Sequence, residues 1–228
     1  MAASLSSFMA ELLSSEELAD ATSERIIDAA LDEFRRNGVR GTSLDAIAKR
    51  AQLGRVTIYR RFGNKQGLLR ALILRECGLI IAEVEAANTR GDPDDVADRF
   101  ALGFVAMLRA THGRSFFKSW LKHDPADLLA HLTFGGETMM RVGIAFIARH
   151  IRLAQRSGQL PPYDPLPVAE ILARFAHSLM LTPKGGIALS DERQAYEFAR
   201  AYIVPIVTRG ADEHRTSAVR RKKGRSIS

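Results

Sequence analysis

The chain holds one cysteine among 228 residues, so a disulfide framework and cysteine-rich zinc or iron–sulfur sites are excluded. The lone Cys77 fits a reducing, intracellular compartment. No run approaches the ~18 uncharged apolar residues of a membrane helix. The start lacks a basic segment and carries Glu11, Glu16 and Glu17, unlike a secretory leader. G-x-S-x-G, H-E-x-x-H, the P-loop and G-x-G-x-x-G are all missing. His112, His123, His131, His150 and His177 are scattered, without the spacing of a metal motif. A cytoplasmic protein that is not an enzyme, with no metal, no cofactor and no membrane partner, is expected.

Hydrophobic residues make up 46% of the chain, enough for a core, which excludes wholesale disorder. The net charge of +7 is unevenly placed. Residues 1–21 carry −4, residues 22–69 carry +5, residues 70–208 carry +1 and residues 209–228 carry +5. A basic block inside a folded segment points to a polyanionic partner.

Apolar positions recur at helical spacing, and no sustained period-two alternation occurs, so the fold is expected to be all-α. Thr22 or Ser23 is expected to cap a first helix with Ile27, Ala30, Leu31 and Phe34 on one face, ending at Gly38. Ser43 (or Thr42) caps a second with Leu44, Ile47, Ala48 and Ala51. Gln52-Leu53-Gly54 breaks the pattern, and a third helix runs from Arg55 to about Phe62. A fourth begins at Lys65 and reaches about Asn88. Asp92-Pro93 and Asp124-Pro125 read as helix starts, with Asp as cap and Pro in the first turn. Further helices are expected at about 114–122, 137–156, 167–181 and 191–208. Residues 1–21 read as a flexible arm and 209–228 as a basic disordered tail.

Two short helices joined by a tight turn, at residues 43–62, follow the helix-turn-helix plan, in which the second helix enters the major groove. Ile58 and Phe62 are expected to face inward with Leu53. That leaves Arg55, Val56, Thr57, Tyr59, Arg60 and Arg61 on the other side. Guanidinium and hydroxyl groups suit phosphate oxygens and guanine edges, and Val56 suits a thymine methyl. Lys65 opens the fourth helix, where free backbone N–H groups favour an anion. The competing reading is a solvated basic face with Tyr59 as a core ring.

The strings Ile26-Ile27-x-Ala29-Ala30-x-x-x-Phe34-x-x-x-Gly38, Thr42-Ser43-Leu44-x-x-Ile47-Ala48-x-x-Ala51 and Thr57-Ile58-Tyr59-Arg60-x-Phe62-x-x-Lys65-x-x-Leu68-Leu69 resemble the DNA-binding domain of the tetracycline-repressor (TetR) family. The resemblance covers about a fifth of the chain. It implies DNA-contacting roles for Ser43, Arg55, Val56, Thr57, Tyr59, Arg60, Arg61 and Lys65. Thr57, Tyr59 and Lys65 would meet phosphates; Arg55, Val56, Arg60 and Arg61 would meet base edges. Gly54 departs from the family's usual polar cap, so the third helix starts less firmly. Asp45 stands where a base contact is sometimes found, either accepting from a cytosine amino group or repelling the backbone.

The resemblance further implies a helix-turn-helix domain at 22–69, joined by the fourth helix to an all-α ligand-binding and dimerisation domain at 70–208. Helices at about 167–181 and 191–208 would pair with their mates in a homodimer. Ile171, Leu172, Phe175 and Leu179 on one, and Ala195, Phe198, Ala199, Tyr202 and Ile206 on the other, form the stripes; intrachain packing is the alternative. Phe104, Met107, Phe117, Trp120, Met139, Met140 and Phe146 are candidates for an adaptable apolar pocket, or simply core. The function implied is a ligand-responsive repressor of a pseudo-palindromic operator, released by a small lipophilic effector. The alternative is a helical ligand-binding or interaction protein of the same fold without sequence-specific DNA binding.

Overall fold

The computed structural model describes residues 20–182, 184–187 and 189–209. The basic tail and nearly all of the N-terminal arm lie outside these residues. The fold is all-α: α1 (Ala21–Gly41), α2 (Leu44–Ala51), α3 (Arg55–Phe62), α4 (Lys65–Asn88), α5 (Val96–Gly113), α6 (Ser115–His123), α7 (Pro125–Thr133), α8 (Glu137–Arg156), α9 (Pro165–Leu181) and α10 (Glu192–Phe198), which continues through a π turn (Ala199–Ile203) into α11 (Val204–Arg209).

Two compact units form. Of the described residues, the first contains those at 20–82 together with Gly113–Met139; the second contains Glu83–His112 and those at 140–209. Helix α4 supplies residues to both. The packing division is therefore not linear in sequence, because α6 and α7 fold with the N-terminal helices rather than with their neighbours in the chain.

In the first unit α1 packs against α2 and α6, α2 against α3, and α6 against α7. Asp20, not Thr22 or Ser23, caps α1: its carboxylate accepts from Thr22 N at 2.8 Å and Ser23 N at 2.9 Å. A carboxylate stabilises the positive helix terminus more than a hydroxyl does. Ile26, Ile27, Ala30 and Phe34 are buried, each large side chain contributing ~1.5–3 kcal/mol. Helix α1 is interrupted at Gly38, with φ 72° and ψ 165°, a conformation essentially confined to glycine. Its missing side chain also admits α6, since a Cβ there would lie 2.9 Å from the His123 Cβ. Ser119 Oγ donates to Arg35 O at 2.7 Å, and Arg40 Nε reaches Asp124 at 2.8 Å. Trp120 is fully buried and donates from Nε1 to Asp127 at 3.2 Å.

The second unit is built around Ala101, Phe104 and Leu108 of α5, Ile151 and Ala154 of α8, Leu172 of α9, and Ala195, Ala199, Ile203 and Val207 of the last helix. Phe104, Phe175 and Phe198 stack with centroids 6.0–6.3 Å apart. Three expectations shift here. Helix α5 begins at Val96, because Asp92 is drawn into a turn with Asp94 N and Asp95 caps instead, accepting from Asp98 N at 2.9 Å. Helix α9 begins at Pro165, because Asp164 caps Leu166 N at 3.1 Å, an Asp-Pro start like that of Asp124-Pro125. The last helix is not uniformly α. Pro205 has no N–H to offer, and the chain widens just before it, so that Val204 N–H bonds to Ala199 O. As a result Ile203 and Val207 are buried, while Tyr202, expected on the apolar stripe, is exposed.

Candidate nucleic-acid interface

Helix α2 is started by Ser43, whose Oγ accepts from Ala46 N at 3.1 Å. It ends in a left-handed Gln52 (φ 55°, ψ 44°). Gln52 N–H bonds to Lys49 O at 3.2 Å and Leu53 N–H to Ala48 O at 3.0 Å, the paired closure of a Schellman motif. That turn redirects the chain within three residues into α3. Gly54 provides no side-chain cap for α3, as its residue type implies. Ile47 and Ile58 are completely buried, holding α2 and α3 onto the unit beneath.

An ion pair between half-buried Arg50 and buried Glu33 fixes α2 against α1. Arg50 Nε meets Glu33 Oε1 at 2.5 Å, and Asn37 Nδ2 donates to Glu33 Oε2 at 2.9 Å. Burying a carboxylate is costly unless it is fully hydrogen-bonded, so these two donors make the position of Glu33 tenable. Nothing in the apolar periodicity pointed to Glu33; it interrupts the buried face of α1.

The outer face of α3 is open. Val56 is 79% exposed and Tyr59 42% exposed; Arg55 and Arg60 are exposed, and Thr57 is half-buried. Tyr59 is thus not a core ring. Its hydroxyl accepts from Arg55 Nη2 at 2.9 Å, and the guanidinium carbon lies 5.2 Å from the ring centroid. Arg55 Nη1 also meets both carboxylate oxygens of Asp45, at 3.1 and 2.9 Å. The bond to Tyr59, then the charge of Asp45, hold the Arg55 proton still more firmly than usual. Pairing within the protein was the reading of Asp45 that spacing alone did not suggest.

Two expected contacts are otherwise engaged. Arg61 turns back to α1, pairing with Asp20 and donating to Ser23 Oγ at 3.0 Å. The backbone N–H groups of Ser23 and Thr22 and the Arg61 charge together hold the Asp20 carboxyl below the usual range. Lys65 Nζ donates to Val39 O and Thr42 O, both at 3.0 Å, with Arg40 O at 3.4 Å. Its ammonium therefore satisfies the carbonyl end of α1 and ties it to the start of α4. The structure brings Ser43, Arg55, Val56, Thr57, Tyr59 and Arg60 onto the α2–α3 surface and directs Arg61 and Lys65 into the unit.

The candidate pocket residues divide. Phe117, Trp120 and Met139 belong to the first unit, and Phe104, Met107, Met140 and Phe146 to the second. Among the described residues no group of three His, Cys, Asp or Glu side chains is placed to hold a metal ion, and no helix is long and apolar enough to cross a membrane. Cys77 is buried, and burial pushes its thiol up to about 12.

A capped helix, a Schellman turn and a second helix with an open basic and hydroxyl face define a helix-turn-helix DNA-binding protein. Residues 26–72 match the family of bacterial regulatory proteins, tetR family. A named relative, the HTH-type transcriptional repressor SCO4008 of Streptomyces coelicolor, is 39% identical over 115 residues, which are 48% of this chain and 55% of that protein. The chain thus matches about half of that relative's length. The crystal structure of the TetR family repressor AlkX from Dietzia sp. superposes with a TM-score of 0.64 at 20% identity, covering 84% of this chain and 97% of that one. A SmeT–triclosan complex superposes with a TM-score of 0.51 at 25% identity, covering 80% and 91%. Residues 26–72 thus carry the domain of the tetR family of bacterial regulatory proteins, in a chain whose fold is shared with the TetR family repressor AlkX.

Proposed function

We propose that this regulator is a cytoplasmic repressor that binds a pseudo-palindromic operator as a homodimer and is released by a small lipophilic effector. The observation that carries the DNA-reading part is the open face of α3: Arg55, Val56, Tyr59 and Arg60 are exposed on a helix whose inner face is fixed by Ile58. An exposed valine and tyrosine on so short a helix suit a thymine methyl and a phosphate better than water. Residues 22–69 act as the reader, and residues 70–208 serve dimerisation and effector binding. Exposed Ile171 and Tyr202, on the two helices expected to pair, are apolar surface that a second copy would cover. The relative named a repressor favours repression over activation. Triclosan bound to SmeT favours a lipophilic effector, and the Phe104–Phe175–Phe198 stack with Met107 nearby supplies suitable apolar surface. For Phe117, Trp120 and Met139 the core reading is kept. No catalytic role is assigned to any residue.

Such an effector must prefer the conformation that does not bind DNA, since equal affinity for both states would shift nothing. The test is selection of bound sequences from random duplex DNA at near-physiological salt. The expected result is a two-fold related motif with half-sites about one helical turn (~34 Å) apart. A well-folded protein that selects no motif, with or without candidate effectors, would favour a binding module that has lost operator reading.

A further inference from the structure

We propose that Asp45 is a specificity-determining positioning residue, which holds Arg55 for one base pair in each half-site and keeps it from serving as a general phosphate contact. The inference rests on the reading of α3 as the DNA-reading helix. Asp45 lies in the first turn of α2 and Arg55 in the first turn of α3, ten residues on, so the Schellman turn sets them face to face. Their contact is two-point, with Arg55 Nη1 at 3.1 and 2.9 Å from the two carboxylate oxygens. The other terminal nitrogen of the same guanidinium, Nη2, donates to the Tyr59 hydroxyl at 2.9 Å. Asp45, Arg55 and Tyr59 form one chain of hydrogen bonds across the exposed surface.

Three consequences follow from donor and acceptor counts. Arg55 has five N–H groups, and these contacts leave at least two of them unused, enough for the paired acceptors of a guanine edge. The Tyr59 oxygen accepts from Arg55, so its own proton stays available for a phosphate. The Asp45 charge offsets that of Arg55, which removes one cation per protomer from indiscriminate backbone attraction. A carboxylate in a first helical turn is already favourable through the helix dipole, but that role requires no arginine partner. The two-point contact from α3 goes beyond it.

The test compares the full-length protein with Asp45→Asn, by titrating the selected operator, its single-base variants and a random duplex over a range of salt. A guanine pair lost from reading should lower discrimination at one position per half-site by about ten- to a hundredfold. Binding to random DNA should tighten, and the salt dependence should steepen by about one phosphate contact per protomer. Asp45→Glu should restore part of the discrimination. In an Arg55→Ala background, Asp45→Asn should change nothing further at that position. Unchanged base preferences in Asp45→Asn, or tighter binding spread evenly over all sequences, would overturn the proposal and leave Asp45 as a simple charge. Should Asp45→Asn fail to fold, Asp45→Ser gives the same readout, since a hydroxyl keeps a side-chain oxygen in the first turn of α2 but carries no charge to hold Arg55. Absence of any motif for the unaltered protein would instead count against operator reading itself.

Discussion

Replacing Gly38 with alanine should destabilise the first unit, whereas the same change three residues later, at Gly41, should not. Two separate effects add at Gly38. The backbone at φ 72° and ψ 165° excludes L side chains, a strain of ~1–3 kcal/mol. The new methyl would also meet the His123 Cβ at 2.9 Å, and overpacking of this kind costs ~1–3 kcal/mol. Together they amount to about 2–6 kcal/mol, a large fraction of the ~5–15 kcal/mol that holds a domain folded. At Gly41 the nearest atom to an added Cβ is the Asn37 Cβ at an ordinary 3.8 Å, and no positive φ applies. Alanine there should stabilise by ~0.5–1 kcal/mol through lost unfolded-state entropy. Urea unfolding followed by far-UV circular dichroism, with m-values compared, measures both. Adding His123→Gly to Gly38→Ala should recover the contact part and leave the torsional part. If Gly38→Ala and Gly41→Ala shift the midpoint alike, the close approach of α6 to α1 is wrong.

Three further outcomes are expected. Tyr59→Phe should weaken operator binding by ~0.5–1.5 kcal/mol per protomer with stability changed by less than ~0.5 kcal/mol; a melted fold with unchanged affinity would return Tyr59 to the core. Lys65→Met leaves the buried Val39 and Thr42 without their ammonium donor. It should cost ~1–3 kcal/mol of stability, and DNA affinity should fall only as far as the folded fraction does; a large affinity loss in a fully folded protein would restore a phosphate role. Glu85 Oε2 lies 2.7 Å from His150 Nε2, and that bond, followed by the charges of His150 and Arg149, lowers the Glu85 carboxyl. A lowered carboxyl stabilises the fold above the ordinary carboxylate range and ceases to do so as pH falls through its folded value. Glu85→Gln should therefore melt lower than the unaltered protein at pH 7, with the gap closing below about pH 4; a gap independent of pH would mean that packing, not charge, sets the effect.

Helices α2, α3, α4 and α8 were legible because their apolar spacing, caps and breaks agree. Ser43 and Gln52-Leu53-Gly54 act locally, and local chemistry is what sequence displays. The open face of α3 followed from the same periodicity. Contacts across chain distance were not legible. The turning of Arg61 toward Asp20 depends on where α1 begins, 41 residues earlier. Lys65 looked like a free ammonium at a helix start, but three carbonyls at the end of α1 sit beside it. The Asp45–Arg55 pair depends on the angle of the turn rather than on either helix alone. Helix starts failed where two capping residues competed, as with Asp92 and Asp95, and the fold resolved the competition.

The π turn ahead of Pro205 has a consequence for insertions and deletions. In a regular α-helix each residue advances ~100°, so a strict four-residue step drifts by ~40° and soon leaves its face. Ala195, Ala199, Ile203 and Val207 are nonetheless all buried. Removing one residue from Ala199–Ile203 turns their spacing into i, i+4, i+7, i+11, the ordinary stripe of an amphipathic helix. The segment is thus that stripe with one supernumerary residue, and the bulge absorbs the frameshift that would otherwise rotate Ile203 and Val207 out of the core. Deleting the exposed Ala201 together with Pro205→Ala should leave the buried stripe in line, where a one-residue deletion elsewhere in the helix would scramble it. Relatives differing by a single residue here can share the same packed face, and an alignment that forbids a gap inside a helix would mispair every residue beyond it.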